Sequence, residues 1–276
     1  MRPDSTDADA QGPLYNRSLL SLDQRDRIEV VLVCPRNPLN IGAVARAMAN
    51  FGFSHLTAVS PYEPHWREAR SAVGSAELLQ SARESAALAD AVGDCTLVLG
   101  TGTLTHRKPE QPVVQLHKLG PHLAPALQQG GRIALVLGPE KHGLTRDDLS
   151  QCHLLVEIPT DPRQPSMNLG QAAAVLLYEI ATRVSVESAI ADPGPDQAEI
   201  TPEDNLAMTT SANLNVLAGL IEEVMVETTY SPRTMQAANR HDLRIMLRRL
   251  HLSRADLRRT LGLFRRILWR LNRTRP

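Results

Sequence analysis

Short, continuous apolar runs recur along the first part of the chain. Each is rich in aliphatic and β-branched residues and lacks the alternation of a half-exposed strand. This pattern is typical of strands that are covered on both faces, as in a parallel sheet. The runs occupy residues 28–34, 55–60, 95–100, 132–138 and 153–159.

Segments with helical periodicity separate these runs. They cover roughly residues 41–51, 75–91, 115–129 and 168–183. The alternation of strands and helices predicts an α/β fold with a mostly parallel sheet. Ligands of such sheets bind beyond the carboxyl ends of the strands, so the turns that follow the strands are where we expect the chemistry.

A small helical domain is predicted after the α/β domain. Apolar positions recur at helical spacing in 206–227, and again at Leu243, Leu247 and Leu250. Ser253 followed by Asp256 predicts a capped helix start. The last helix then places apolar side chains on one face, at Leu257, Leu261, Phe264, Leu268 and Leu271.

Four regions follow from these patterns. Residues 1–25 are polar and lack the apolar segment of a signal peptide, so they predict a disordered leader. Residues 26–184 form the predicted α/β domain, and the proline-containing, acidic stretch 185–205 is a predicted linker. Residues 206–276 form the predicted basic helical domain.

Charge is unevenly distributed, although the formal net charge is zero. Residues 184–230 carry nine acidic groups, whereas 231–276 carry thirteen arginines and two aspartates, a net charge of +11. A cationic block of this kind favours a phosphate backbone as partner. The alternative is a solvated helix face, or one that pairs with the acidic stretch before it.

Three cysteines at wide spacing, Cys34, Cys95 and Cys152, indicate neither a disulfide framework nor a metal site. Cys34 and Cys95 lie in apolar strand-like runs, which predicts buried free thiols in a reducing cytoplasm. The sequence has no run of eighteen apolar residues, so no membrane-spanning helix is expected.

Several well-known motifs are absent from the sequence: GxGxxG, Walker A, HExxH and GxSxG. Their absence disfavours nicotinamide, NTPase, metalloprotease and hydrolase chemistry. The candidate chemistry therefore lies in four turns that follow predicted strands, at 34–48, 100–107, 137–145 and 165–173.

Most residues of these turns have both a structural and a functional explanation. Asn40 and Asn168 can cap helices, and Glu140 can be a surface turn residue between Gly138 and Gly143. Arg46 is harder to explain structurally, because the apolar segment AVARAMANF would bury it unless it meets an anion or a ligand.

Together these segments resemble the SPOUT superfamily of S-adenosylmethionine-dependent RNA methyltransferases, in its TrmH-like ribose-methylating branch. NPLNIGAVARAM resembles the first motif of that branch, LGPEKHGLT the second and PSMNLGQAAAVLLYE the third, in the same order. The tail LRRLHLSRADLRRTLGLFRRI is similar to the helical C-terminal region of family members that methylate a cytidine or uridine ribose on the 5′ side of the tRNA anticodon loop.

The resemblance implies a C-terminal trefoil knot in the sheet, although knots are essentially absent from proteins in general. The constrained turn 159–167 would then be part of the knot that wraps the cofactor, S-adenosylmethionine. The residues that the resemblance places around this cofactor are Thr101, Gly102, Thr103, Gly138, Ile158, Pro165, Ser166 and Met167.

The resemblance further implies a homodimer whose site is completed across the interface. The residues expected to face the ribose or to support catalysis are Arg46, Asn40, Glu140, Ser166 and Asn168. No metal is expected to take part. The expected partner is RNA, most specifically a tRNA anticodon stem-loop, with neither DNA nor a membrane as a partner.

Two other functions are compatible with these patterns. One is ribose methylation of ribosomal RNA, and the other is a non-catalytic, knotted RNA-binding protein. Aromatic residues make up 3% of the chain, which disfavours a reader that stacks single-stranded bases. A folded RNA that is recognised by its shape and phosphates fits this composition better.

Overall fold

The computed structural model describes residues 20–62, 64–102, 109–184 and 207–273. Seven strands of these ranges form one sheet: β1 (Ile28–Val33), β2 (His55–Val59), β3 (Arg83–Ser85), β4 (Cys95–Thr101), β5 (Val113–Gln115), β6 (Arg132–Leu137) and β7 (Leu154–Glu157). Every pairing is parallel, and the order is β3-β2-β1-β6-β4-β7-β5. The predicted α/β class with a parallel sheet is confirmed, while the trefoil knot stays a prediction.

Helices connect the strands and follow the sheet. They are α1 (Leu22–Asp26), α2 (Pro38–Phe51), α3 (Ala76–Ser81), α4 (Leu88–Ala91), α5 (Gly120–Gln128), α6 (Arg146–Ser150), α7 (Leu169–Arg183), α8 (Ser211–Glu227), α9 (Gln236–Arg249) and α10 (Arg254–Arg273). No helix in the described ranges is long and apolar enough to cross a membrane.

Strand β1 illustrates why the strands appear in the sequence as continuous apolar runs. All six of its residues are buried. Ile28, Val30 and Leu32 join the hydrophobic core on one side of the sheet. Val31 and Val33 join a second core on the other side. Both faces of the sheet are therefore covered, as the pattern predicted.

Two of the predicted helices are wrong in their extent. The segment 75–91 is not one helix, because strand β3 separates α3 from α4. The segment 115–129 begins with the end of β5 and a short 3₁₀ helix, Leu116–Lys118, before α5 starts. Both misses involve three-residue strands at the sheet edges, which are formed by pairing with β2 and with β7.

The C-terminal helices have a core of their own, formed by Leu214, Leu217, Leu243, Leu247 and Leu257. The predicted cap is present, since the Asp256 N–H donates to Ser253 Oγ at 3.1 Å. Helix α1 overlaps the end of the predicted leader 1–25, and residues 1–19 fall outside the described ranges. The predicted linker also falls outside them.

The cysteines are free thiols, as predicted, but their burial differs from the expectation. Cys95 and Cys152 are buried, whereas Cys34, just past the end of β1, is exposed. Burial raises the pKa of both the Cys95 and the Cys152 thiol to about 12. Neither buried thiol is therefore a thiolate nucleophile at neutral pH.

Candidate active site

A cavity of about 270 Å³ lies at the carboxyl ends of three neighbouring strands, β4, β6 and β7. Because these strands are parallel and adjacent, the turns that follow them meet at one edge of the sheet. The wall is formed by Thr101, Gly102, Leu137, Gly138, Pro139, Glu140, Lys141, His142, Gly143, Val156, Glu157, Ile158, Thr160, Pro165, Ser166, Met167, Leu169 and Ala172.

Most of the residues predicted to contact the cofactor line this cavity. They are Thr101, Gly102, Gly138, Ile158, Pro165, Ser166 and Met167. Thr103 lies outside the described residues. Glu140 and Ser166 are the predicted catalytic residues that also reach the cavity wall. The structure thus brings three of the four predicted turns together around one cavity.

The turn after β6 depends on two glycines. A Cβ atom at Gly138 would lie 2.3 Å from the backbone nitrogen of Leu144, so only glycine fits there. Gly143 has a φ of +64°, a left-handed conformation that glycine adopts without strain. The chain consequently folds back on itself between these positions and holds Glu140 at the cavity edge.

The turn after β7 is closed by local hydrogen bonds. Thr160 Oγ1 donates to the carbonyl of Pro165 at 3.2 Å, and the Gln164 N–H donates to the carbonyl of Asp161 at 2.9 Å. Closing the turn places Ile158 and Met167, which flank it, on the same cavity wall. The polar, hydrogen-bonded turn between a strand and a buried helix therefore shapes the cavity.

Glu140 connects the turn after β6 with the start of α2. Its carboxylate accepts hydrogen bonds from Asn40 Nδ2 at 2.9 Å, the Asn37 N–H at 3.2 Å and the Arg36 N–H at 3.3 Å. Partial burial raises the pKa of Glu140, but these hydrogen bonds together lower it below its usual value. Glu140 is therefore an ionised acceptor at neutral pH, with its oxygens directed at the first motif.

Asn168 acts both as a cap and as a link between motifs. Its Oδ1 accepts from the Gly170 N–H at 2.9 Å, which caps α7, and its Nδ2 donates to Asn40 Oδ1 at 2.9 Å. Asn40 does not cap α2, because the capping side chain is that of Asn37. Asn168, Asn40 and Glu140 thus form a continuous hydrogen-bonded chain across three motifs.

Arg46 departs from its expected environment. It is exposed on α2, does not line the cavity, and makes no hydrogen bond or ion pair with any residue of the described ranges. The expectation that the apolar segment would bury it is wrong, because neighbouring positions of α2 face the core while position 46 faces outward. A single chain does not bring Arg46 to the cavity.

Helices α2 and α7 pack side by side, and each exposes apolar side chains. Leu39 is 55% exposed and Tyr178 is 47% exposed, and Val175 lies one turn before Tyr178 on the same face of α7. Tyr178 also meets the ring of Phe51 edge-on, with the ring centroids 5.9 Å apart. Arg46 lies on the same side of α2 as Leu39, seven residues further along.

A second cavity, of about 440 Å³, borders the first through His142 and Gly143. Helix α9 contributes His241 to its wall. Glu110, His241 and Asp242 lie close enough to share a cation, a grouping that sequence spacing did not predict. Arg146 is 3.2 Å from Glu110 and 3.7 Å from Asp242, so a guanidinium already balances these carboxylates.

Sequence reasoning did not assign a cofactor or ribose contact to ten residues of the wall of the first cavity, although most of them lie inside the predicted turns. They are Leu137, Pro139, Lys141, His142, Gly143, Val156, Glu157, Thr160, Leu169 and Ala172. Leu137, Val156 and Glu157 lie at or next to the last positions of predicted strands, so the rule that ligands bind at strand ends could have found them. Ala172 lies inside the predicted turn 165–173, but its place in the wall depends on how α7 returns to the sheet.

The chain is similar in sequence and in structure to known proteins. Residues 27–178 match the SpoU rRNA Methylase family. The chain is 35% identical over 204 residues to the tRNA (cytidine/uridine/adenosine-2′-O-)-methyltransferase TrmJ of Pseudomonas aeruginosa, covering 73% of this chain and 78% of that protein. It is 36% identical over 163 residues to the tRNA (cytidine-2′-O-)-methyltransferase TrmJ of Methanocaldococcus jannaschii, covering 56% and 68%.

The crystal structure of TrmJ from Z. mobilis ZM4 is also similar. It has a TM-score of 0.71 and 25% sequence identity, and the match covers 87% of this chain and 98% of that one. A match of this extent includes helices beyond the sheet domain as well as the sheet itself.

Proposed function

The chain belongs to the SpoU rRNA Methylase family, and from this premise we propose that it transfers a methyl group from S-adenosylmethionine to a ribose 2′-hydroxyl of tRNA. The membership confirms the resemblance found in the three motifs. The observation that carries the tRNA part is the likeness to TrmJ proteins, which in the Z. mobilis structure extends over 87% of this chain. Cytidine or uridine on the 5′ side of the anticodon loop is the proposed target.

The cavity suits the proposed cofactor in its chemistry. Apolar side chains such as Ile158 and Met167 offer a surface for an adenine ring, and the bare backbone at Gly102 leaves open space beside it. The side chains of Ser166 and Thr160 offer polar groups on the same wall. S-adenosylmethionine supplies an electrophilic methyl group on a sulfonium, so the task of the protein is to position and activate the hydroxyl.

We assign the activation of the hydroxyl to Arg46. A ribose 2′-hydroxyl is a poor nucleophile until it loses its proton, which requires a base or a group that stabilises the oxyanion. A guanidinium holds its proton too tightly to serve easily as a base. Arg46 therefore orients the hydroxyl and a phosphate and stabilises the developing alkoxide, while Asn40, Glu140 and Asn168 hold the first motif in place.

A homodimer accounts for the position of Arg46. The exposed surface of Leu39, Val175 and Tyr178 is apolar and lies beside Arg46, so a second copy of the chain would cover it. Arg46 of one protomer then reaches the cavity of its partner. Each complete site would consist of the cavity of one chain and Arg46 of the other chain.

The experiment is to incubate the protein with S-adenosylmethionine carrying a labelled methyl group and with total RNA, and then to map the labelled nucleotide. A label on a ribose of the tRNA anticodon loop supports the proposal. A label in ribosomal RNA would favour the other enzyme function, and binding of RNA without any label would favour a non-catalytic protein.

Arg46→Ala and Arg46→Lys are the matched variants for this assay. Arg46→Ala should lose methyl transfer while its melting temperature and cofactor affinity stay close to wild type, since Arg46 has no partner among the described residues. Near-normal turnover of Arg46→Ala would contradict the assigned role. Calorimetry with a chelator present separates cofactor binding from any cation held by Glu110, His241 and Asp242.

A further inference from the structure

Arg248 of α9 is a buried cation at the junction between the C-terminal helices and the sheet domain. It is 1% exposed. Nε donates to the carbonyl of Gln151 at 2.9 Å, and Nη2 donates to Gln151 Oε1 at 2.7 Å and to Asn215 Oδ1 at 3.0 Å. Nη1 donates to the carbonyl of Arg244 at 3.2 Å. One guanidinium thus joins residues of three separate elements.

The acceptors of Arg248 are neutral oxygens. Burial lowers its pKa to about 10, so the side chain still carries its charge at neutral pH. A charge that has left water is tolerated only when its donors are satisfied, so the arrangement holds as long as Gln151 and Asn215 stay in place. Gln151 is itself 3% exposed and accepts a further hydrogen bond from Asn215 Nδ2 at 3.2 Å.

The anchor point of Arg248 lies between the elements that build the first cavity. Gln151 caps the C-terminus of α6, and α6 follows directly on the turn that carries Glu140 and Gly143. After Gln151 the chain enters β7, whose end also lines the cavity. A displacement of Gln151 would therefore move two parts of the cavity wall, the turn after β6 and the end of β7.

Helix α10 is tied to the same junction. Met208 and Ser253 form an antiparallel bridge immediately before α10 begins, and Thr209 Oγ1 donates to the carbonyl of Leu252 at 2.8 Å. Arg244 adds a second link from α9 to α6, with its Nη1 2.8 Å from Asp147 Oδ1. The start of α10 is thus tied to the segment that leads into α8, the helix that carries Asn215.

We infer that Arg248 is a positioning residue that locks the C-terminal helices onto the sheet domain, so that RNA bound along α10 presents its target ribose to the cavity in one register. The inference rests on the proposed function. RNA held by a loosened α10 would still bind, but its ribose would seldom reach the methyl donor. Misplacement by about 1 Å can slow a reaction on the order of a hundredfold.

The variant Arg248→Met tests this, because it keeps much of the side-chain volume and removes the hydrogen bonds. The turnover number on saturating tRNA should fall at least about tenfold. The dissociation constants for S-adenosylmethionine and for tRNA should stay within about threefold of wild type, because Arg248 is buried and does not line the first cavity. Arg248→Lys keeps the charge but not the planar guanidinium, so its turnover number should lie between those of wild type and Arg248→Met.

Arg249→Met is the matched control. Arg249 is the next residue, is exposed, and has no hydrogen bond or ion pair within the described ranges, so its loss should leave the turnover number within twofold of wild type. If Arg248→Met does not fold, Asn215→Ala tests the same contact from the other side and should also slow turnover without loss of cofactor affinity.

Two results would overturn the inference. One is a folded Arg248→Met protein with wild-type turnover, and the other is a parallel loss of cofactor binding and turnover, which indicates general damage. These results differ from a failure of the proposed function, in which the wild-type protein itself would transfer no methyl group to tRNA.

Discussion

Three arginines of helix α9 contact other elements of the protein, whereas no arginine of α10 is buried. On α9, Arg240 pairs with Glu222, Arg244 pairs with Asp147, and Arg248 is buried. On α10, all of the arginines are exposed. The two helices have similar composition and follow one another in the chain, yet the same residue type is structural in one and available to a ligand in the other.

The cause of this difference is the surroundings of each helix. Helix α9 lies against α6 and α8, so Arg240, Arg244 and Arg248 meet carboxylates and carbonyls, while Arg249 at its end is exposed. Helix α10 buries Leu257 and Leu268, and Arg259, Arg266 and Arg273 lie on the opposite side at the helical rotation of about 100° per residue. The net charge of +11 in 231–276 therefore overstates the charge that RNA can meet.

The largest expected effect comes from removing the outward charges of α10. Replacing Arg259, Arg266 and Arg273 with Gln removes three phosphate contacts, which should lower the log–log salt slope of tRNA binding by about 2 to 3. Affinity near 0.1 M salt should fall by a factor on the order of a hundred or more, since each lost contact removes a factor of about five to eight relative to 1 M salt. Filter binding over a salt series measures both quantities.

The control for this variant keeps α10 intact and changes α9. Arg240→Gln with Glu222→Gln leaves the net charge unchanged and should bind tRNA like wild type. An unchanged salt slope in the α10 variant would show that RNA binds elsewhere.

A second effect is a decrease in the free energy of unfolding at acid pH, caused by His153, which lies near Arg248 of α9. Burial, together with the charges of Arg248 and His251, lowers the pKa of His153 to about 3. His153 Nδ1 accepts the Val98 N–H at 3.1 Å, which requires the neutral ring. As the pH falls below about 6.5, the unfolded chain takes up a proton that the folded chain does not, so stability should drop by about 2 kcal/mol at pH 5.

Urea unfolding of wild type and His153→Gln at pH 7 and pH 5 measures this effect. The variant should lose less stability between the two pH values, whatever its absolute stability. Equal pH dependence in both proteins would contradict the role of His153.

Much of the fold could be predicted because its strands are covered on both faces. The buried runs around β1 and β6 are visible in the sequence for that reason. The edge strands β3 and β5 could not be predicted, since each has three residues and depends on a neighbouring strand for its conformation. The two helices of the tail were predicted, but their different surroundings depend on long-range packing that periodicity does not contain.

The candidate site shows the same division. Gly138, Ser166 and Met167 could be placed together because they lie in turns after neighbouring strands. Arg46 was expected in a buried setting and is exposed, because the sequence does not reveal which face of α2 is covered within one chain. Asn37 could have been found as the cap of α2, since it precedes a proline at the first helical position.

A smaller effect is expected from Trp269, which lies between two arginines of α10. The guanidinium of Arg266 is 4.1 Å and that of Arg273 is 4.7 Å from the indole centroid. Each contact stabilises the pair by about 0.5 to 1 kcal/mol at an exposed site, and it also fixes the direction of the guanidinium. Trp269→Leu should therefore weaken tRNA binding a few-fold, and Trp269→Phe should weaken it less. Equal affinities for all three proteins would contradict this role.

The smallest effect is expected for the pair Arg240 and Glu222, where α9 meets the acidic side of α8. Arg240 Nε lies 2.8 Å and 2.9 Å from the two carboxylate oxygens, but the arginine side chain is 47% exposed. Solvent and salt screen such a pair, so a double-mutant cycle with Gln at both positions should give a coupling of about 0.5 kcal/mol in unfolding free energy. The tRNA salt slope should not change in any member of the cycle. A decrease of about one unit in Arg240→Gln would mean that this arginine contacts a phosphate and that α9 shares the RNA surface with α10.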